Sequence, residues 1–349
     1  MFRGVIGVAV LVSGLLILAP HHSSAAEGFN VITSPLPIKI STSPGKTITN
    51  ELRIKNQGTQ AEGIKVGLMK FAATGTSGQP DLFDLTAKDT YASWVHFSPA
   101  QFTAQPNVWV SVTMTIDGPP EADLGYYLAV TFSPANQPGV PNATDLKGAA
   151  ATLVLLDVKT PNEKRAVELV SFTTDHKLYE YLPTNFNIKL HNTGNIYIAP
   201  QGNIFIQRGS KTITTLDFNA AGGSVLPQSN RVFVVPWKDG FPLFADRLVN
   251  GKPLPDKHGV PKRSLTWNFT QLSKFRIGRY TAKLLVVYDN GKQDVPREAT
   301  VSFWVIPWKI ILVLLIVLAI VGFGLFSFGR SVFRKTKSGV GKRRKHEKT

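Results

Sequence analysis

The chain has 349 residues, of which 43% are hydrophobic, 18% charged and 10% aromatic, a globular composition that excludes a disordered chain. It has no cysteine, which excludes a disulfide framework, a thiolate zinc site and a cysteine nucleophile. The formal charge is +16, but the last twenty residues carry nine basic residues and one acid, so the remainder is only mildly basic and a nucleic-acid partner is not expected.

The N-terminus has a minimal charged start at Arg3, an apolar run from Val5 to Leu18, then Pro20 and the small residues Ser23, Ser24, Ala25 and Ala26. This order predicts a cleaved signal peptide over 1–26. From residue 27 the chain reads as strand after strand. Thr47 to Lys55 alternates, with Ile48, Asn50, Leu52 and Ile54 on one face and Thr49, Glu51, Arg53 and Lys55 on the other. A period of two means a half-buried strand. Ser43-Pro44-Gly45 before it and Asn56-Gln57-Gly58 after it are turn chemistry. Further strands are predicted at Ala61 to Phe71, Val108 to Ile116, Gly125 to Ser133 and Thr152 to Lys159, all rich in Val, Ile, Leu and aromatics.

Thr160-Pro161-Asn162 interrupts the pattern, which places a module boundary near 160. Strands then restart at Ala166 to Thr173, Thr184 to His191, Asn203 to Gln207, Thr212 to Phe218, Arg231 to Val235, Tyr280 to Tyr288 and Ala299 to Ile306. Asn290-Gly291 inside Tyr288 to Lys292 is a hairpin signal. Leu52 to Gly58 and Ile188 to Gly194 both run an alternating strand into an Asn-x-Gly turn, an echo that similar physics alone can produce. The spacing predicts an all-β fold: two tandem immunoglobulin-like β-sandwiches, 27–160 and 161–306, followed by one transmembrane α-helix.

That helix is predicted over 307–329. Ile310 to Gly329 is twenty residues without a charge, which at 1.5 Å per residue spans roughly 30 Å, one bilayer core. Trp304 and Trp308 precede it, where indole favours the interface. Arg330, Arg334, Lys335 and Lys337 follow it in a basic tail, 330–349. The positive-inside rule makes these four a cytoplasmic anchor and puts the ectodomain outside. The expected location is the cell membrane, single-pass. Lys342 to Lys345 reads as a stop-transfer cluster against anionic lipid.

This layout resembles the WxL-interacting proteins of bacterial cell surfaces. The residues that carry the resemblance are Ile38-Lys39-Ile40 leading to Ser43-Pro44-Gly45-Lys46, the strand ending Lys55-Asn56, Tyr91-Ala92-Ser93-Trp94-Val95, Gly125-Tyr126-Tyr127-Leu128-Ala129-Val130, and Leu153 to Val158 running into Ala166-Val167-Glu168-Leu169. The resemblance covers most of the chain in layout. It implies a peptidoglycan-binding module followed by an immunoglobulin-like partner-binding module, without catalysis. The long basic-aromatic insert in the second module departs from the family.

Candidate chemistry is sparse. His96, His176, His191 and His258 show no metal-ligand spacing, and no G-x-S-x-G elbow occurs; neither enzyme chemistry nor a cofactor is expected. Asp81, Asp84 and Asp89 share one loop and are calcium-ligand types, though a solvated acidic loop is the simpler reading. Asn142 and Asn268 begin glycosylation triplets. The loop from Phe71 to Trp94 is long, and long loops on a rigid sandwich carry binding sites. Trp94, Phe97 and Trp109 are candidates for a sugar-stacking face. In the stretch Trp237 to Trp267, the aromatics Trp237, Phe241, Phe244 and Trp267 interleave with Lys252, Lys257, Lys262 and Arg263, which suits an anionic surface or a partner protein. The expected function is non-covalent binding of cell-wall polymer or another surface protein. The alternative is an assembly or secretion accessory that captures a client strand at a sheet edge.

Overall fold

A computed structural model describes residues 29–136, 149–249 and 251–342. The expected signal peptide, the Asn142 triplet and the end of the tail lie outside the described residues. The first module contains β1 (Val31–Ser34), β2 (Ile38–Thr42), β3 (Thr47–Asn56), β4 (Glu62–Ala73), β5 (Pro80–Phe83), β6 (Val95–Ser98), β7 (Gln101–Ala104), β8 (Trp109–Asp117), β9 (Leu124–Pro134) and β10 (Ala150–Val158). One sheet has the order β1-β3-β8-β6. The other has the order β2-β10-β9-β4-β5, with β7 also on β4. The pairing is antiparallel except for β2 on β10, which is parallel. The predicted faces of β3 hold: Leu52 and Ile54 point into the sandwich, while Thr49, Glu51 and Arg53 face solvent. Leu52, Ile54, Val112, Met114, Leu128, Val130 and Phe132 make the core with the inward side of β10.

The second module contains β11 (Val167–Thr174), β12 (Leu178–Tyr179), β13 (Thr184–Asn192), β14 (Gln201–Arg208), β15 (Lys211–Phe218), β16 (Asn230–Trp237), β17 (Leu243–Asp246), β18 (Leu248–Val249), β19 (Lys252–Pro253), β20 (Arg263–Thr266), β21 (Gly278–Asp289) and β22 (Asp294–Val305). Its sheets are β11-β13-β16 and β12-β22-β21-β14-β15. The hairpin signal at Asn290-Gly291 holds: β21 and β22 pair from Asp289↔Asp294 to Gly278↔Val305, with Gly291 at φ +88°. An aromatic cluster fills the core, with Trp237, Tyr280 and Phe303 within 6.0 Å of one another, ring centre to ring centre. Such edge-to-face and offset pairs add to area burial. In a chain without disulfides this packing holds the second sandwich closed.

The echo between the modules is structural. Asn56 and Asn192 are both fully buried. The Asn56 side-chain amide donates to Gln60 O and Ala104 O and accepts from the Gly58 N–H. Asn192 makes the same three bonds with Ile196 O, Val225 O and the Gly194 N–H. In both turns a Cβ on the glycine would lie 3.0 Å from the asparagine oxygen, so the small residue is what lets the turn close on its own side chain.

β22 runs almost directly into α1 (Trp308–Lys342). The stretch Trp308–Arg330 is 23 residues, long and apolar enough to cross a membrane. The helix continues past the predicted span. The side chains of Arg334, Lys335 and Lys337 lie outside the described residues. At the junction, Ile306 N–H donates to Tyr179 O at 2.8 Å and Lys309 pairs with Glu180 at 2.9 Å.

Candidate binding cleft between the two sandwiches

The outward face of the β9–β10 sheet does not face water. Met69, Phe71, Ala129 and Leu155 are buried, packed against Tyr197 and Leu226 of the second module. The long loop predicted to carry a site opens with the β4–β5 hairpin, and its Thr76 carbonyl accepts from Val232 N–H of β16 at 2.6 Å. Arg165 completes the joint by bridging Asp157 at 2.9 Å and pairing with Glu163. The two sandwiches are therefore stapled, not strung.

Beside this joint lies a cleft of about 480 Å³. Its floor is Phe71, Leu82, Leu153 and Leu155 from the first module, and its far wall is the 221–231 segment of the second. No Asp or Glu is among the residues that line it. Arg231, on β16, lies across the Phe233 ring at 4.8 Å and donates through Nη1 to Ser224 O at 2.7 Å. Its Nε is buried without a partner among the described residues. Gly78 and Gly223 give the guanidinium room, since a Cβ on either would collide with it. Gly78 also sits at φ +77°, where only glycine is comfortable. Lys39, on β2, reaches across the module boundary to Gly222 O at 2.7 Å. Burial lowers its pKa, and the nearby Arg231 charge lowers it further. Arg231 thus lines the cleft, Lys39 is bonded to Gly222 of the same wall, and the lining holds no counter-charge, an arrangement that favours an incoming carboxylate or other anion. Both sit on edge strands, because β2 and β16 each end a sheet. β5, another sheet end, forms part of the rim.

The residues expected from sequence are placed differently. Trp94, Phe97 and Trp109 do not form one face. Val95 pairs with Ile116 at one end of β8 and Trp109 begins the other, a separation of about 23 Å at strand rise. Trp94 packs edge-to-face with Tyr91 and Tyr126 against the core, Phe97 also packs on it, and Trp109 is exposed beneath Arg53. Trp237 is a correction: it is fully buried among Tyr280 and Phe303 and faces no partner. Phe241 is buried as well. The alternation Phe233, Val235, Trp237 on β16 is the signal that points Trp237 inward. Lys252, Lys257, Lys262, Arg263 and Trp267 are exposed on the insert, which the prolines did not keep irregular: β17 pairs β20 and β18 pairs β19. Phe244 packs edge-on to Tyr181. Asp89 is engaged by Lys70, Thr86 and Tyr91, and Asp81 by Thr74. No cluster of three or more metal-ligating side chains forms among the described residues. The Asn268 side chain caps the following turn through Thr270.

No protein-family model matches the chain, and no curated protein sequence matches it. Solved structures do. The class 5 fimbriae chaperone CfaA aligns over 77% of this chain and 98% of its own, at 11% identity and a TM-score of 0.35. The CsuC-CsuE chaperone-tip adhesion subunit complex from Acinetobacter baumannii aligns over 77% and 97%, at 11% identity and a TM-score of 0.33. A PapD-like domain of human CEP192 aligns over 44% and 98%, at 18% identity and a TM-score of 0.27. At TM-scores this low the likeness carries no functional weight.

Proposed function

We propose that the chain is a non-catalytic, membrane-anchored binding protein that holds an extended protein segment in the cleft between its sandwiches. The observation that carries this reading is Arg231, on an edge strand, beside an apolar floor with no acid in the lining, while Lys39, on a second edge strand, is bonded to Gly222 of the same wall. An edge strand supplies unpaired backbone groups for a client strand. The floor takes alternate apolar side chains, and an acidic group of the client lies between the two cations. The partner is therefore a protein of the same envelope. Glycan stacking on Trp94, Phe97 and Trp109 loses its support with their dispersal. By the positive-inside rule the tail is cytoplasmic and both sandwiches lie outside the cell membrane.

The test is photocrosslinking in cells, with a benzophenone amino acid at Gln79 or Ala221 on the cleft rim. A discrete protein adduct that disappears with Lys39→Met plus Arg231→Met is the expected result. Adducts that survive this double substitution, or none at all, would refute cleft capture. Pelleting of the purified chain with peptidoglycan in the absence of protein would return the function to the wall.

A further inference from the structure

The membrane-facing end of the second module carries an apolar surface that strand packing does not use. β22 ends at Val305, paired with Gly278 at the start of β21, so the insert between β16 and β21 returns to the end from which α1 departs. Phe241 N–H donates to Lys274 O, and Phe244 N–H to Leu182 O, tying the insert down there. On its outer side Trp267 stacks on Phe269, and both contact buried Phe241 at 5.7 and 5.6 Å. Phe269 is 71% exposed, Leu272 59% and Trp267 48%.

The insert also lies alongside the membrane helix. A groove of about 690 Å³ runs between them, walled by Tyr181, Phe244, Leu265 and Trp267 on one side and by α1 from Ile310 to Leu318 on the other, with the paired Glu180 and Lys309 its charged lining residues. Those helix positions descend about 12 Å at 1.5 Å per residue. A span of 23 residues just covers a bilayer core of about 30 Å. Val317 and Leu318 therefore lie well inside hydrocarbon, and what faces them cannot stand in water. Exposed Lys252, Lys257 and Lys262 on the insert match anionic headgroups. Trp267 beside the helix matches the interfacial preference of indole.

We infer that residues 238–276 form a membrane-interfacial element, in which Trp267, Phe269 and Leu272 enter the leaflet on the ectodomain side and the groove against α1 holds a lipid acyl chain. This rests on α1 being a membrane span. It adds a second attachment, so the second module is held to the bilayer face at two points, each limiting the tilt that the other allows.

The chain has no cysteine, so single nitroxide labels can be placed cleanly in the full-length protein. Leu272→Cys, Lys292→Cys and Val317→Cys are labelled in vesicles of phosphatidylcholine with phosphatidylglycerol, and oxygen accessibility is compared with that of a water-soluble nickel complex. Lys292 belongs to the far hairpin and reports water. The expected result is that Leu272 and Val317 both favour oxygen while Lys292 favours nickel. Nickel preference at Leu272 with oxygen preference at Val317 overturns the inference and leaves the span intact. Nickel preference at both removes the span and the inference together. For the groove, quenching of tryptophan emission by lipids brominated at mid-chain should fall on Trp267→Phe and not on Trp109→Phe. An equal fall in both variants overturns the acyl-chain assignment.

Discussion

Asn192 offers the sharpest test of how these sandwiches are held. Asn192→Ala removes three hydrogen bonds inside a fully buried turn. At about 1 kcal/mol net per bond the loss is about 3 kcal/mol. It rises towards about 5 kcal/mol if the Ile196 and Val225 carbonyls and the Gly194 N–H stay unpaired, since a stranded buried group costs about 1–3 kcal/mol. For a module of this size the smaller loss lowers Tm by roughly 6–12 °C and the larger by roughly 10–20 °C. Asn56→Ala breaks the matching bonds in the first module and should cost the same. Asn192→Asp should be worse than alanine at neutral pH, because a carboxylate would face two carbonyl oxygens. The assay is thermal melting of the full chain in detergent, with hydrogen exchange at Gly58 and Gly194. If both alanine variants melt within about 2 °C of the parent and keep those amides protected, then the turns are not what closes the sandwiches.

Further outcomes follow from single contacts. The Lys70 ammonium, then the Thr86 hydroxyl and N–H, hold the Asp89 carboxyl far below the usual carboxylate range; burial opposes this, and the Tyr91 hydroxyl assists. Its folded pKa is depressed, so its contribution is fully present above about pH 4 and is lost progressively as pH falls from there through the folded pKa; Asp89→Asn should destabilise at pH 7, and its gap to the parent should narrow steadily in acid melts towards pH 2. Trp237→Ala should cost about 3–5 kcal/mol, read as loss of the second module's near-ultraviolet signal at lower denaturant; a cost below about 1 kcal/mol would mean that the aromatic cluster repacks. Arg165→Met should cost about 3 kcal/mol at neutral pH by stranding buried Asp157. Burial, then the Glu163 charge, already raises the Asp157 pKa, so the folded state holds its proton more tightly and this deficit should shrink as pH falls; a deficit independent of pH would rule out the stranded carboxylate as its cause.

Much of the fold was legible because half-buried strands print their period on the sequence. β3 alternates strictly and buries the face that its alternation marks, and β13 and β21 form at the predicted ranges with the same alternation of burial. The short edge strands β5, β6 and β7 were not legible, since four residues carry too little periodicity to separate strand from loop. β2 switches sheets to pair in parallel with β10, and no local signal encodes a partner that distant in sequence. The same reason hid the cleft, because Lys39 and Arg231 meet only through the docking of one sandwich on the other. Aromatic content alone does not reveal which way Trp237 faces. The strand β16 decides facing, and it turns that ring inward.

The way the chain leaves the second module has a mechanical consequence. β22 runs from its far end at Asp294 to the membrane end at Val305, registered against β21 throughout. If the cleft holds a client and α1 crosses a bilayer, as proposed, a pull between the two acts along this strand. All its cross-strand bonds then share the load at once, in shear, instead of parting one after another as they would if the strand were peeled from its end. The terminal strand is thus a tether that resists tension cooperatively, and the lifetime of the module under load is set by the rate of unfolding as a whole.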